Sequence, residues 1–135
     1  MAVCYLLDTN ILIASLRGDP AIRQRLETQP LTALRLSTIV LGELEFGAEK
    51  STWAARNRHR LTELKQRMPL VGIDDSTALH YARIRTALER VGTPIGSNDF
   101  WIAAQALALG ATLVTDNERE FRRVPGLAVE NWLRG

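Results

Sequence analysis

Short apolar runs alternating with amphipathic helical stretches predict an α/β protein, a parallel sheet flanked by helices on both sides. Three observations carry this. Val3 to Leu7 is a continuous apolar run, the pattern of a strand buried on both faces, and Ala111 to Thr115 reads as another strand. Each gives way at once to a polar cluster, Asp8-Thr9-Asn10 after the first and Asp116-Asn117-Glu118 after the second. Between them lie stretches whose apolar residues recur at i, i+3, i+4 and i+7, the period of a helix buried along one side. Right-handed crossovers keep the strands' carboxyl ends on one edge of such a sheet, where ligands of open α/β sheets bind.

The 135 residues are expected to form a single domain spanning 1–135, with no repeat, linker or low-complexity segment to mark a boundary. The lone Cys4 excludes an internal disulfide and a cysteine zinc cluster, and suits a reducing compartment. No apolar run reaches the ~20 residues of a membrane span, and Met1-Ala2-Val3-Cys4 lacks a basic leader, so a cytoplasmic protein without membrane contact is expected. Net charge is only +2, yet the cations are 15 Arg against 2 Lys. That bias fits phosphate recognition by planar guanidinium groups, and equally a GC-rich coding bias.

Taking the elements in order, Val3 to Leu7 is the first strand and places Asp8 at its carboxyl end; Asp8 is also a good helix cap. Asn10 to Leu16 is a short helix closed by Arg17-Gly18-Asp19-Pro20, and Ala21 to Thr28 a second one. Leu34 to Ser37 is the next strand, running into a cap at Ser37 or Thr38. In the helix from Ile39 to Lys50, Ile39, Glu43, Phe46 and Gly47 share one face, so Glu43 is expected on the apolar stripe while Glu45 and Glu49 are solvated. Ser51 to Arg67 is a basic helix with Trp53, Leu61 and Leu64 as apolar contacts, either a solvated face or an RNA or partner surface.

Leu70 to Ile73 is a third strand, and Asp74-Asp75 reads as the cap and first turn of a helix with Ile84, Ala87, Leu88 and Val91 inward. After the turn Thr93-Pro94-Ile95-Gly96, Ser97 is expected to cap a helix whose stripe is Asp99, Ile102, Ala103 and Ala106. Asp99 therefore leads an apolar face, which structure alone explains poorly. Ala111 to Thr115 is the fourth strand and Leu127 to Val129 a short edge strand.

Asp8 and Asp116 end strands, and Glu43 and Asp99 lie in early turns of helices, so all four can reach one sheet edge. Converging carboxylates repel unless cations neutralise them, and oxygen-only ligands favour Mg²⁺ or Mn²⁺ over zinc. Such a site suits phosphodiester hydrolysis. No P-loop, dinucleotide-binding glycine turn or serine nucleophile elbow competes.

Leu7-Asp8-Thr9-Asn10, Ser37 with Gly42-Glu43-Leu44 and Gly47-Ala48, Pro94-Ile95-Gly96-Ser97-Asn98-Asp99, and Leu113-Val114-Thr115-Asp116-Asn117 with Glu120-Phe121 follow one another in an order that resembles PIN-domain ribonucleases. More narrowly the chain resembles the VapC toxins of type II toxin–antitoxin modules. The resemblance implies a three-layer α/β/α fold with a central, mostly parallel sheet and a Mg²⁺- or Mn²⁺-dependent endoribonuclease acting on structured RNA such as tRNA. It also implies a homodimer and a cognate VapB-type antitoxin, through which alone operator DNA is bound. By position it makes Asp8, Glu43 and Asp99 the acidic, metal-holding triad. The fourth acid of many PIN domains falls at Asn117 here, with Asp116 before it; we expect Asp116 to face the site and Asn117, Asn10 and Thr115 to orient the carboxylates from behind.

Two other classes were weighed. An aspartyl-phosphate phosphatase also ends its first strand in Asp, but wants a second Asp where Asn10 stands. A non-catalytic receiver-like module wants a Lys ending a late strand, and no Lys follows Lys65.

Overall fold

The computed structural model describes residues 3–51 and 54–134. Five strands, β1 (Tyr5–Leu7), β2 (Leu34–Ser37), β3 (Leu70–Val71), β4 (Thr112–Val114) and β5 (Val129–Glu130), form one sheet in the order β3-β2-β1-β4-β5. Every pairing is parallel, so all five carboxyl ends lie on one edge. The chain builds outward from β1 on one side through β2 and β3, then returns to the other side for β4. That reversal opens a crevice between the ends of β1 and β4, where α/β sheets take ligands.

Among the described residues, seven α-helices complete the three-layer α/β/α sandwich: α1 (Thr9–Leu16), α2 (Pro20–Thr28), α3 (Thr38–Glu49), α4 (Ala54–Arg67), α5 (Asp75–Arg90), α6 (Ser97–Leu109) and α7 (Glu118–Phe121). Leu6, Leu7, Leu113 and Val114 are buried completely, as strands covered on both faces require. In α6, Ile102, Ala103 and Ala106 are buried as their spacing predicts. That helix stops where Gly110 turns left-handed at φ 65°, a conformation glycine adopts without steric cost.

Leu61 and Leu64 of α4 are buried, while Trp53 lies outside the described residues. Asp74 caps α5 through the Thr77 amide and hydroxyl, both at 2.8 Å, which accounts for one of the paired aspartates without a metal.

Several expectations need correction. The buried side of α3 is Val40, Leu44 and Ala48, whereas Phe46 is 66% exposed, so the stripe containing Glu43 borders an open cleft and not the core. Two adjacent helical faces carry apolar residues, and packing used the neighbouring one. Val91 is 70% exposed because α5 ends just before it. Gly96, not Ser97, occupies the cap position of α6.

Two polar devices hold the layers. Buried Gln105 of α6 accepts from the Ser37 hydroxyl and donates to the carbonyls of Val71 and Gly72 at 3.2 Å each, tying the helix to β2 and β3. At the other end Trp132, 1% exposed, meets Tyr5 of β1 edge-on at 5.1 Å between ring centres and donates from Nε1 to Glu130. Trp132→Ala is expected to lower unfolding stability by about 3–5 kcal/mol in urea denaturation, through the cavity left beneath the C-terminal segment.

Candidate active site

Asp8 leaves β1 and immediately caps α1. Its carboxylate accepts from the Thr9 amide at 2.8 Å and from the Thr115 hydroxyl at 2.7 Å. Its own amide donates to the Val114 carbonyl at 2.9 Å, continuing the β1–β4 ladder one residue past the strand. Capping and site-building are thus one arrangement. Asp8 is only 5% exposed, and burial, assisted by the charges of Glu43 and Glu120, raises its pKa against the lowering effect of its two hydrogen bonds.

Glu43 reaches the same cleft from α3, accepting from the Thr9 hydroxyl at 3.0 Å and from Asn98 Nδ2 at 3.4 Å. Asp99, in the first turn of α6, is half-buried and hydrogen-bonded to Glu120 of α7. Its pKa is pushed up to about 7, first by burial, then by that hydrogen bond, then by the charges of Glu120, Asp8 and Glu43. Burial would raise Glu120 as well. The Gly96 amide at 2.7 Å, Asn117 Nδ2 at 2.6 Å and the bond from Asp99 outweigh that and hold Glu120 below the usual range. The two carboxyl groups titrate as a pair, Asp99 raised and Glu120 lowered.

Gly96 makes this pairing fit. A Cβ there would stand 3.1 Å from Asp99 Oδ2 and 3.7 Å from Glu120 Oε1, so a side chain would push on the acid pair.

The acid that the structure brings beside Asp99 is Glu120, whereas Asp116, expected to face the site, lies apart from it. Asp116 is exposed and turned away, accepting from Asn131 Nδ2 at 3.0 Å with Arg134 Nε at 3.5 Å. Alternation at the strand end sends it outward while Thr115 and Asn117 face in. Thr115 Oγ1 donates to Asp8 and accepts from the Asn117 amide at 3.0 Å. Asn10 touches no carboxylate; its Oδ1 accepts from the Asp116 amide at 3.1 Å and clamps the turn after β4 onto α1. Asn98 and Glu120 were assigned no role from the sequence. The available signal for Glu120 was its spacing three residues after Asn117, one helical turn along the same side.

The four carboxylates brought together here offer oxygen ligands alone, the chemistry of a hard divalent cation rather than of zinc. Burial first, and the neighbouring carboxylates after it, raise Asp8 and Asp99, and a bound cation would favour their charged forms. Among the described residues, no three His, Cys, Asp or Glu side chains form a ready cage; Glu43 is bonded to Thr9 and Asn98, and Glu120 to Gly96 and Asn117.

A sheet of this order with acids at the β1–β4 crevice matches the PIN domain, whose family model covers residues 5–127. The chain is 38% identical to Ribonuclease VapC2 of Rickettsia felis over 130 residues, 95% of this chain and 97% of that one. It is equally 38% identical to the tRNA(fMet)-specific endonuclease VapC of Salmonella typhimurium, again over 95% and 97%. A chain of the crystal structure of DNA bound VapBC from Salmonella typhimurium superposes with a TM-score of 0.90 at 37% identity, over 96% of this chain and 98% of that one. The chain belongs to the PIN-domain family, among the VapC ribonucleases.

The raised carboxylates set a pH dependence for the metal-free protein. Asp99 holds its proton up to about 7 when folded but only to 3.8 when unfolded. The folded state therefore binds more protons between those values, and stability falls as pH rises through the upper one. In EDTA the thermal midpoint should drop from about pH 5 to about pH 8, and Asp99→Asn should flatten the slope and raise the midpoint at the alkaline end.

Proposed function

We propose that this protein is a divalent-metal-dependent endoribonuclease, the toxin of a type II toxin–antitoxin module, built as a single PIN domain. The observation that carries the reading is the meeting of Asp8, Glu43, Asp99 and Glu120 at the β1–β4 crevice of a chain 38% identical to VapC ribonucleases. Asp8, Asp99 and Glu43 would hold Mg²⁺ or Mn²⁺, with Glu120 beside Asp99. When bound, the ion supplies charge neutralisation and a water acidified enough to attack a phosphodiester.

The chain's own groups prepare that chemistry. Thr9, Thr115 and Asn117 fix the acids by hydrogen bonds, and the Gly96 amide keeps Glu120 ionised. With Asp99 raised to about 7, its proton must leave before the carboxylate can serve a cation, so cation loading should release protons near neutral pH. Thr115 and Asn10 hold the β4 turn so that Asp8 and Glu120 face one another across it.

Relatives named as a tRNA(fMet)-specific endonuclease and as a DNA-bound VapBC complex support structured RNA, tRNA above all, as substrate and a VapB-type antitoxin as partner. Operator DNA would be reached only through that antitoxin, and the toxin would act as a homodimer in the cytoplasm. No helix among the described residues is long and apolar enough to cross a membrane. The phosphatase alternative loses its needed acid/base, because the residue two after Asp8 is Asn10, occupied with the Asp116 amide.

Removing a group that merely orients a metal ligand costs about 10–100-fold, so losing a ligand should cost at least the upper figure. Asp8→Asn, Asp99→Asn and Glu120→Gln should each reduce Mg²⁺-dependent RNA cleavage by about 100-fold or more, while Asp116→Asn stays close to the unaltered protein. Gel-resolved cleavage of tRNA with purified variants checks this. Full activity of Asp99→Asn would exclude the metal site, and equal losses at positions 116 and 120 would exclude the assignment of the fourth acid.

A further inference from the structure

Several arginines are held by other parts of the chain. Arg58 pairs with Glu45 and Glu49, Arg60 donates to the Leu16 carbonyl, and Arg123 donates to the Pro94 carbonyl. Three others share a different setting. Arg119, Arg122 and Arg134 line a shallow concavity of about 430 Å³ at the carboxyl end of β4, together with Asp116, Asn117 and Glu118.

Asn117 forms the wall common to this hollow and the acidic cleft, since its side chain donates to Glu120. The hollow therefore begins where the acids end. Its two carboxylates act as brackets: Asn131 Nδ2 donates to Asp116 at 3.0 Å and to Glu118 at 3.1 Å, and these in turn hold Arg134 at 3.5 Å and Arg122 at 2.8 Å. A guanidinium carries five N–H donors in a plane, so one carboxylate contact leaves most of them unspent. Arg119 is exposed and enters no ion pair among the described residues. Three guanidinium groups against two carboxylates leave the lining net positive.

We propose that this hollow seats a phosphodiester group of the RNA strand next to the bond being cut, with Arg119, Arg122 and Arg134 as its contacts. The proposal rests on the RNA-cleaving reading above. A strand whose reacting phosphate lies against Asp8 and Asp99 must carry its neighbouring phosphate over the rim of the cleft. Without cations there, Asp116 and Glu118 would repel it. An acidic peptide could also answer the arginines, but nothing would require its charge to fall beside the catalytic acids.

Phosphate contacts carry no sequence information, so the probe need not be the natural substrate. Binding of fluorescently labelled bulk tRNA, measured by anisotropy in EDTA over rising KCl, reads them directly. Arg119→Gln and Arg122→Gln should each weaken binding roughly threefold or more at low salt, and Arg119→Gln/Arg122→Gln/Arg134→Gln should make the log–log salt slope shallower by about 2–3. Arg83→Gln, an exposed arginine on α5 outside the hollow, should match the unaltered protein. In Mg²⁺ the triple variant should raise KM for tRNA with little change in kcat. Arg119→Gln breaks no ion pair and keeps the test independent of folding. Retention of affinity and slope by the triple variant overturns the proposal, as does absence of salt-dependent binding by the unaltered protein. Loss of antitoxin capture with RNA affinity intact would make the hollow a protein-docking surface and overturn it too. Failure of the unaltered protein to cleave any RNA in Mg²⁺ would instead remove the functional reading beneath it.

Discussion

The pairing of β1 with β4 is the constraint on which the rest depends. Leu6 against Leu113 and Leu7 against Val114 fix the register, and the Asp8 amide extends it to the Val114 carbonyl. A shift of one residue would turn Thr115 away from Asp8 and carry Asn117 and Glu120 out of the cleft with it. The apolar runs of the two strands thus set the geometry of the polar residues that follow them. Because β1 has neighbours on both sides, this register is also the place where the sheet changes direction, and the crevice and the acids arise from the same topological fact.

Electrostatics works against the fold at this point. Asp8 and Asp99 are both held above their ordinary pKa values, chiefly by burial. Hydrogen bonds from Thr9 and Thr115 offset part of that penalty at Asp8, while those from Gly96 and Asn117 lower Glu120 beside Asp99. A site strained in this way has little value as structure and much as a receptacle for positive charge, the relation between buried like charges and function seen in many enzymes.

The sheet was legible in the sequence because burial on both faces leaves continuous apolar runs, and Asp8 and Asp99 stood out as acids attached to apolar segments. Glu43 was found for a partly mistaken reason. Its face of α3 looked apolar on paper, but Val40, Leu44 and Ala48 fill the core, and Glu43 is drawn to the cleft by Thr9 and Asn98. Glu120 eluded pattern reading because α7 is only four residues long, too short for periodicity to show a face. The choice between Asp116 and Asn117 depended on which side chain the strand end turns inward, a property of the β1–β4 pairing and invisible in the local sequence. Gln105 was equally hidden, as one polar residue among alanines whose partners lie on β2 and β3.

The acid set runs from Asp8 to Glu120 of a 135-residue chain, with Glu43 and Asp99 between. No shorter product that stops before Glu120 contains it, however well its first strands fold. Synthesis from the N-terminus brings in Glu120 last of these four acids, and Trp132, which packs against Tyr5, comes later still. A half-made copy is chemically incomplete, and for a protein whose chemistry would damage the RNA that makes it, the order of residues along the chain is itself a form of restraint.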